Sequence, residues 1–148
     1  MARLIDVAEY ILSKTGPITA MKLQKMMYYS QAWSLVWDDK PIFRDRIEAW
    51  ANGPVIPKLY NLHRGRFKLS AGHFGGHKTS LSKDEQDTLN AVLKYYGHRS
   101  SLWLSELTHK ERPWKEARDG LAPGDRGRAE ITPAALEGYY GGLVGVSS

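Results

Sequence analysis

A chain of 148 residues with 42% hydrophobic and 25% charged side chains is one domain's worth of ordinary globular sequence, which excludes wholesale disorder. It has no cysteine, so a disulfide framework, a cysteine-zinc site and a thiol nucleophile are excluded together. The net charge of +5 is lopsided: residues 1–70 carry 11 Lys and Arg against 6 Asp and Glu, whereas residues 71–148 carry 10 of each. The basic density peaks at Lys58, Arg64, Arg66 and Lys68. Such a concentration attracts phosphates or an acidic protein face, or is simply a solvated loop.

Residues 3–14 read as a first helix, with Leu4, Ala8, Ile11 and Leu12 at helical spacing and Gly16-Pro17 ending it. Asp6 and Glu9 interrupt the apolar run, so no secretory signal is expected. No stretch approaches the roughly 20 apolar residues that span a bilayer. The expectation is a soluble, cytoplasmic protein with no membrane partner.

Thr19 is a candidate N-cap for a long helix over residues 20–37. Leu23, Met26, Met27, Ser30 and Trp33 make its broad apolar stripe, and Tyr28, Tyr29 and Leu35 carry apolar surface further round. A helix apolar over so much of its circumference is expected at the centre of a fold. Lys22, Gln24, Lys25 and Gln31 are left for an exposed strip. Ile42-Phe43 and Ile47–Trp50, flanking Arg44-Asp45-Arg46, predict a small antiparallel hairpin near residues 41–51, with Ile47 and Ala49 on one side and Glu48 and Trp50 on the other.

Asn52-Gly53-Pro54 is a turn, and Pro57 opens a short helix through Arg64 with Leu59, Tyr60 and His63 inward. Residues 65–81 read as a flexible, Gly-rich connection. Ser82 and Glu85 form a capping box for a helix that buries Leu89, Val92, Leu93 and Tyr96 and ends at a left-handed Gly97. Two short helices follow over 101–108 and 113–118, then a polar loop over 119–130. Thr132-Pro133 opens a last helix through Tyr140, and residues 142–148 are expected to fray. The fold class is mainly α with a small β part (α+β), about six to seven helices in one domain spanning residues 1–148.

Catalytic signatures are missing. There is no nucleotide-binding glycine motif, P-loop, zinc-protease helix or nucleophile elbow. Gly72, Gly75 and Gly76 lack the flanking elements of a phosphate loop. His73 and His77 are four apart, but the glycines beside them argue against a helix that would aim both at one metal. His109 with Glu111 reads more readily as local capping than as an acid/base pair. Glu48 beside Trp50 reads as an exposed strand carboxylate rather than one raised by an apolar pocket.

The aromatics are more informative. Five Trp and eight Tyr exceed what a core of this size needs. Several tyrosines come in neighbouring pairs: Tyr28-Tyr29, Tyr95-Tyr96 and Tyr139-Tyr140. Neighbours on a helix point about 100° apart, so one of each pair is expected to be partly exposed. Exposed Tyr and Trp anchor protein interfaces and also stack on single-stranded nucleic acid.

Three blocks carry a family resemblance. Lys22-Leu23-Gln24-Lys25-Met26-Met27-Tyr28-Tyr29-Ser30-Gln31-Ala32-Trp33 is the first. The second runs from Pro41-Ile42-Phe43 through Ile47-Glu48-Ala49-Trp50 and Asn52-Gly53-Pro54-Val55 to Pro57-Lys58-Leu59-Tyr60. The third is Thr108-His109, Glu111, Pro113-Trp114 and Ala117. Together they resemble the SocA-like, or Panacea, antitoxin domain, also described as phage-associated and GepA-like, with Met26-Met27 in place of the common Leu pair. The closing helix with Ile131 and Tyr139-Tyr140 agrees with that family's ending.

The resemblance implies an antitoxin encoded beside its toxin, often on a phage or mobile element. It implies neutralisation of a cognate toxin protein by direct contact or, in one branch, delivery of the toxin to a ClpXP-type protease. It implies no catalytic residues, metal or cofactor. Lys22, Gln24, Lys25, Tyr28, Trp50, Asn52 and Tyr60 are the candidate partner-binding residues. Leu23, Met27 and Trp33 are expected in the core, Gly53 and Pro54 in the shaping turn, and Trp114 in the supporting motif. A nucleic-acid-binding module using the basic first half is the alternative reading, and the oligomeric state is left open.

Overall fold

The computed structural model describes residues 1–76 and 80–145, and its elements are arranged around one helix. Among those residues the order is α1 (Leu4–Thr15), β1 (Ile18–Thr19), α2 (Ala20–Trp37), β2 (Glu48–Trp50), β3 (Gly53–Val55), α3 (Pro57–His63), β4 (Lys68–Leu69), α4 (Lys83–Tyr96), α5 (Ser101–Lys110), α6 (Arg112–Ala117) and α7 (Pro133–Gly145). The mainly helical class with a small β part is what the periodicity predicted. So are the cap of α2, where the Thr19 hydroxyl accepts the Lys22 amide at 3.0 Å, and the capping box of Ser82 and Glu85 on α4.

α2 is enclosed on all sides. α1, α4, α5, α7, β1 and β3 pack against it, and only Met21 and Trp37 of its residues are exposed. Leu23, Met26, Met27 and Ala32 are fully buried, and Trp33 is half-buried with its indole N–H donating to the Tyr96 hydroxyl at 2.9 Å. The exposed strip expected at Gln24, Lys25 and Gln31 does not exist, because extended chain lies across it. Gln31 acts as a strand surrogate: its amide donates to the Phe43 carbonyl at 2.8 Å and its oxygen accepts the Ile42 amide at 2.9 Å. About two helical turns earlier, Gln24 accepts the Ile56 amide at 2.9 Å and holds the His63 ring at 3.0 Å.

This arrangement moves the hairpin along the chain. Ile42 and Phe43 are buried but pair with no strand, since Gln31 already uses their backbone groups. The hairpin is β2 with β3 instead, in the register Glu48↔Val55, Ala49↔Pro54 and Trp50↔Gly53. Its inward and outward alternation is as expected, with Ile47 and Ala49 buried and Glu48 and Trp50 half-buried. The polar loop after α6 is tied to its other edge: Ala49 donates to Ala129 at 2.9 Å and Ile131 donates to Ile47 at 2.8 Å.

The tyrosine pairs behave differently from one another. Tyr95 and Tyr139 are the more exposed members of theirs, as helical geometry requires, but Tyr28 and Tyr29 are both buried. That expectation fails at α2 because both tyrosines lie in its middle, where neighbouring elements pack round the helix. The Tyr29 and Tyr140 hydroxyls donate to the buried Glu111 carboxylate at 2.7 and 2.8 Å, and the Tyr28 and Tyr140 hydroxyls meet at 3.0 Å. Burial pushes the Glu111 carboxyl up, while the two phenol donors oppose the shift. The cluster pins α7 and the α5–α6 junction to α2.

Three further expectations are corrected. Residues 65–81 are not a free connection over their described part. β4 pairs with β1, and Glu9 accepts the amides of Gly72 and Phe74 at 2.7 and 2.8 Å. Gly97 closes α4 with right-handed dihedrals (φ −64°, ψ −26°), and Ser100 caps α5 almost at once, so the turn needs no left-handed residue. α7 continues through Gly145 rather than fraying from residue 142, and residues 146–148 lie outside the described residues.

Replacing Gln31 with Leu keeps the volume but strands the buried Ile42 amide and Phe43 carbonyl. The expected loss of unfolding free energy is about 2–4 kcal/mol in chemical denaturation with an unchanged m-value. A loss under about 0.5 kcal/mol would mean that the surrogate bonds do not hold this segment.

Candidate functional site

A cavity of about 720 Å³ opens where the N-terminal half of α2, the β2–β3 turn, α3 and two loops converge. Its size falls within the roughly 300–1,000 Å³ typical of small-ligand sites. Gln24 and Lys25 come from α2, Trp50 and Asn52 from the hairpin, and Tyr60 and His63 from α3. Arg64, Arg66 and Phe67 follow α3, and Arg126 and Arg128 come from the loop beyond α6. Among the described residues, five cationic side chains line the cavity and no carboxylate does.

Lys25 is the unusual member. It is only 1% exposed, yet among the described residues it has no ion pair and no hydrogen bond. Its aliphatic stem lies against the hairpin turn. A Cβ on Gly53 would stand 2.7 Å from Lys25 Cε and 3.0 Å from Nζ, so a side chain there would push the lysine end aside, and the φ of +129° favours glycine at this position. Burial pulls the Lys25 ammonium down to about 8. The other α2 polar groups at this end are already engaged, since the Gln24 amide is spent on Ile56 and His63.

The walls are aromatic. Trp50 and Tyr60 meet edge to face at 5.0 Å, Tyr60 and His63 do so at 5.5 Å, and the Arg128 guanidinium lies 5.5 Å from the Trp50 ring. Trp50 is fixed at its polar end, because its indole N–H donates to Glu48 at 2.8 Å. Glu48 is also held by Arg46 at 2.9 Å and Arg128 at 3.8 Å, which makes it a positioning carboxylate outside the cavity lining. Phe67 is 80% exposed at the rim, and its carbonyl accepts the Ala20 amide at 2.9 Å, anchoring the basic loop to the start of α2. Asn52 and Tyr60 have no side-chain hydrogen bond among the described residues. Arg64, Arg66 and Arg126 have no ion pair there.

Of the seven candidate partner-binding residues, five line this cavity: Gln24, Lys25, Trp50, Asn52 and Tyr60. Lys22 does not, and its ammonium donates to the Gly97 carbonyl instead. Tyr28 is buried in the tyrosine cluster and is core. Arg126 and Arg128 escaped the sequence reading because they sit in the charge-neutral half, and only the β2 edge contacts carry their loop across. Arg118 explains that crossing: it is buried and donates to the Ala49 carbonyl at 3.1 Å and the Asp125 carbonyl at 2.6 Å. Trp114, the supporting-motif residue, donates to the Trp50 carbonyl at 2.8 Å and stacks on His109 at 4.0 Å. Glu48, His109 and Glu111 do not converge on this cavity. The His73–His77 pairing falls partly outside the described residues, since His77 is one of those not described. Among the described residues no three His, Asp or Glu gather as metal ligands, and no helix is long and apolar enough to cross a membrane.

Residues 23–115 match the antitoxin SocA-like, Panacea domain, and the chain belongs to that family. The matched stretch contains nearly all of α2, the hairpin, α3, α4 and α5, and it leaves out α1, α7 and the Arg126–Arg128 side of the cavity. No curated protein and no solved structure matches the chain.

The buried lysine has a measurable signature. Its folded pKa lies below the unfolded value, so between about pH 8 and 10.5 the unfolded chain binds more protons and stability rises with pH. The penalty is fully present below about pH 8 and is on the order of 3 kcal/mol. Lys25→Met is expected to raise unfolding free energy at pH 7 by about 1–3 kcal/mol and to remove the wild type's gain from about pH 8 to about pH 9, where the tyrosines of the unfolded chain, titrating near 10, are still largely protonated. Equal stability of the two proteins across that range would show that Lys25 is solvated.

Proposed function

We propose that the protein is an antitoxin that neutralises a cognate toxin by direct contact, and that the basic mouth of the cavity is the centre of the contact. The observation that carries this reading is that Arg64, Arg66 and Arg126 line the cavity beside Phe67 and Trp50 with no ion pair among the described residues, which also put no carboxylate in the lining. Desolvated arginines and aromatics are the residue types that dominate protein interfaces. An excess of one charge sign favours an acidic partner face and speeds its approach. Membership of an antitoxin domain family supports the class of partner. A stable complex buries about 1,200–2,000 Å² in total, so surface around the mouth must contribute as well.

The test is co-expression with the product of the adjacent reading frame, followed by growth rescue and pull-down. Arg64→Glu with Arg66→Glu changes only exposed residues. It is expected to weaken the complex roughly a hundredfold or more and to abolish rescue. Tyr95→Ser with Leu102→Ser, which alters exposed apolar residues of α4 and α5 away from the cavity lining, is expected to leave both intact. The opposite pattern would move the contact to the α4–α5 face, and rescue by all variants would remove the arginine rim from the mechanism.

A further inference from the structure

The cavity floor is built for a ligand of its own. Lys25 is nine-tenths buried by a wide margin, has no ion pair or hydrogen bond among the described residues, and is part of the cavity lining. A protein retains such a group at a cost in stability, and a bound anion is what would offset that cost. A flat macromolecular surface cannot reach a 1%-exposed ammonium; the anion must enter. Three unpaired guanidiniums stand nearer the rim, so the ligand is expected to carry more than one negative charge. A carboxylate side chain carries a single charge, whereas a phosphate chain carries several, and arginine forks match phosphate geometry.

The rest of the lining is not phosphate-like. Trp50, Tyr60 and Phe67 put aromatic rings in the lining, and the Asn52 carboxamide and Tyr60 hydroxyl, without side-chain hydrogen bonds among the described residues, can pair with polar ring edges or a sugar. The volume exceeds what an inorganic anion fills and lies within the range of ligands with a ring and a tail. We infer that this cavity binds a nucleoside phosphate, with the phosphates on Lys25 and the arginines and the base among the aromatic side chains. The site differs from a P-loop in using side-chain cations rather than backbone amides, which is why no glycine motif announces it.

The inference draws on the same arginines as the antitoxin reading but is tested on the isolated protein, so its failure is distinguishable from a failure of toxin binding. Isothermal titration with ADP, adenosine, inorganic phosphate and a hexaglutamate peptide separates the possibilities. ADP is expected to bind one-to-one and quench Trp50 fluorescence, with adenosine and phosphate each weaker by roughly tenfold or more. Lys25→Met, which should fold at least as stably as the wild type, is expected to weaken ADP by a similar factor. Arg66→Ala, at an exposed position, is expected to weaken it less. Absence of ADP binding at millimolar concentration would overturn the assignment. So would ADP binding unchanged in Lys25→Met, phosphate binding as tight as ADP, or hexaglutamate binding tighter than ADP. The last result would reassign the cavity to an acidic segment of a partner protein.

Discussion

Everything in this fold follows from the requirement that α2 be satisfied on all sides. A helix with solvent on one face can leave its polar side chains to water. α2 has no such face, so each polar group along it must find a partner inside the protein. Gln31 holds the extended segment at Ile42 and Phe43, Gln24 holds Ile56 and His63, and Tyr28 and Tyr29 join the Glu111–Tyr140 cluster. These bonds decide where the neighbouring elements lie. The hairpin sits at β2–β3 because Gln31 has taken the backbone groups upstream, and α7 docks through Tyr140 because a buried carboxylate demands a second donor. Lys25 is the exception to the rule, and the exception lies at the cavity.

The same constraint explains how a modest charge excess becomes a concentrated one. The arginines after α3 are near the cavity because the β1–β4 pair and the Phe67 carbonyl bind their loop to the start of α2. Arg126 and Arg128 reach it from the far end of the chain because Arg118 and the β2 edge hold the second loop. The acids near this face are spent elsewhere: Glu48 on Arg46 and Trp50, Asp45 on Lys58. Of the arginines lining the cavity Arg128 meets Glu48, while Arg64, Arg66 and Arg126 have no ion pair among the described residues, and that excess is the electrostatic basis for recognising an anionic partner.

Much of the scaffold was legible in the residues. The 3.6 period and the caps at Thr19, Ser82 and Thr132 marked the helices closely, because these signals are local. The non-local features were not legible. A glutamine standing in for a strand has no sequence signature, so Gln24 and Gln31 looked like surface residues and the hairpin was placed too early. The rule that one of two neighbouring helical tyrosines faces water fails only when a helix is surrounded, and no local pattern reports that. Of the candidate site, the spacing of Gln24, Lys25, Trp50, Asn52 and Tyr60 was visible as a family block. The Arg126–Arg128 wall was not, because it depends on a buried Arg118 bridging two distant segments.

The central claim is that the cavity at the start of α2 is the working surface. Hydrogen exchange on the protein alone and with the product of its neighbouring gene tests it most directly. The account requires new protection in residues 50–56, 60–67 and 126–128, the segments that rim the cavity, with little change in α4. Protection confined to α4 and α5, with the cavity segments exchanging as in the free protein, would contradict it.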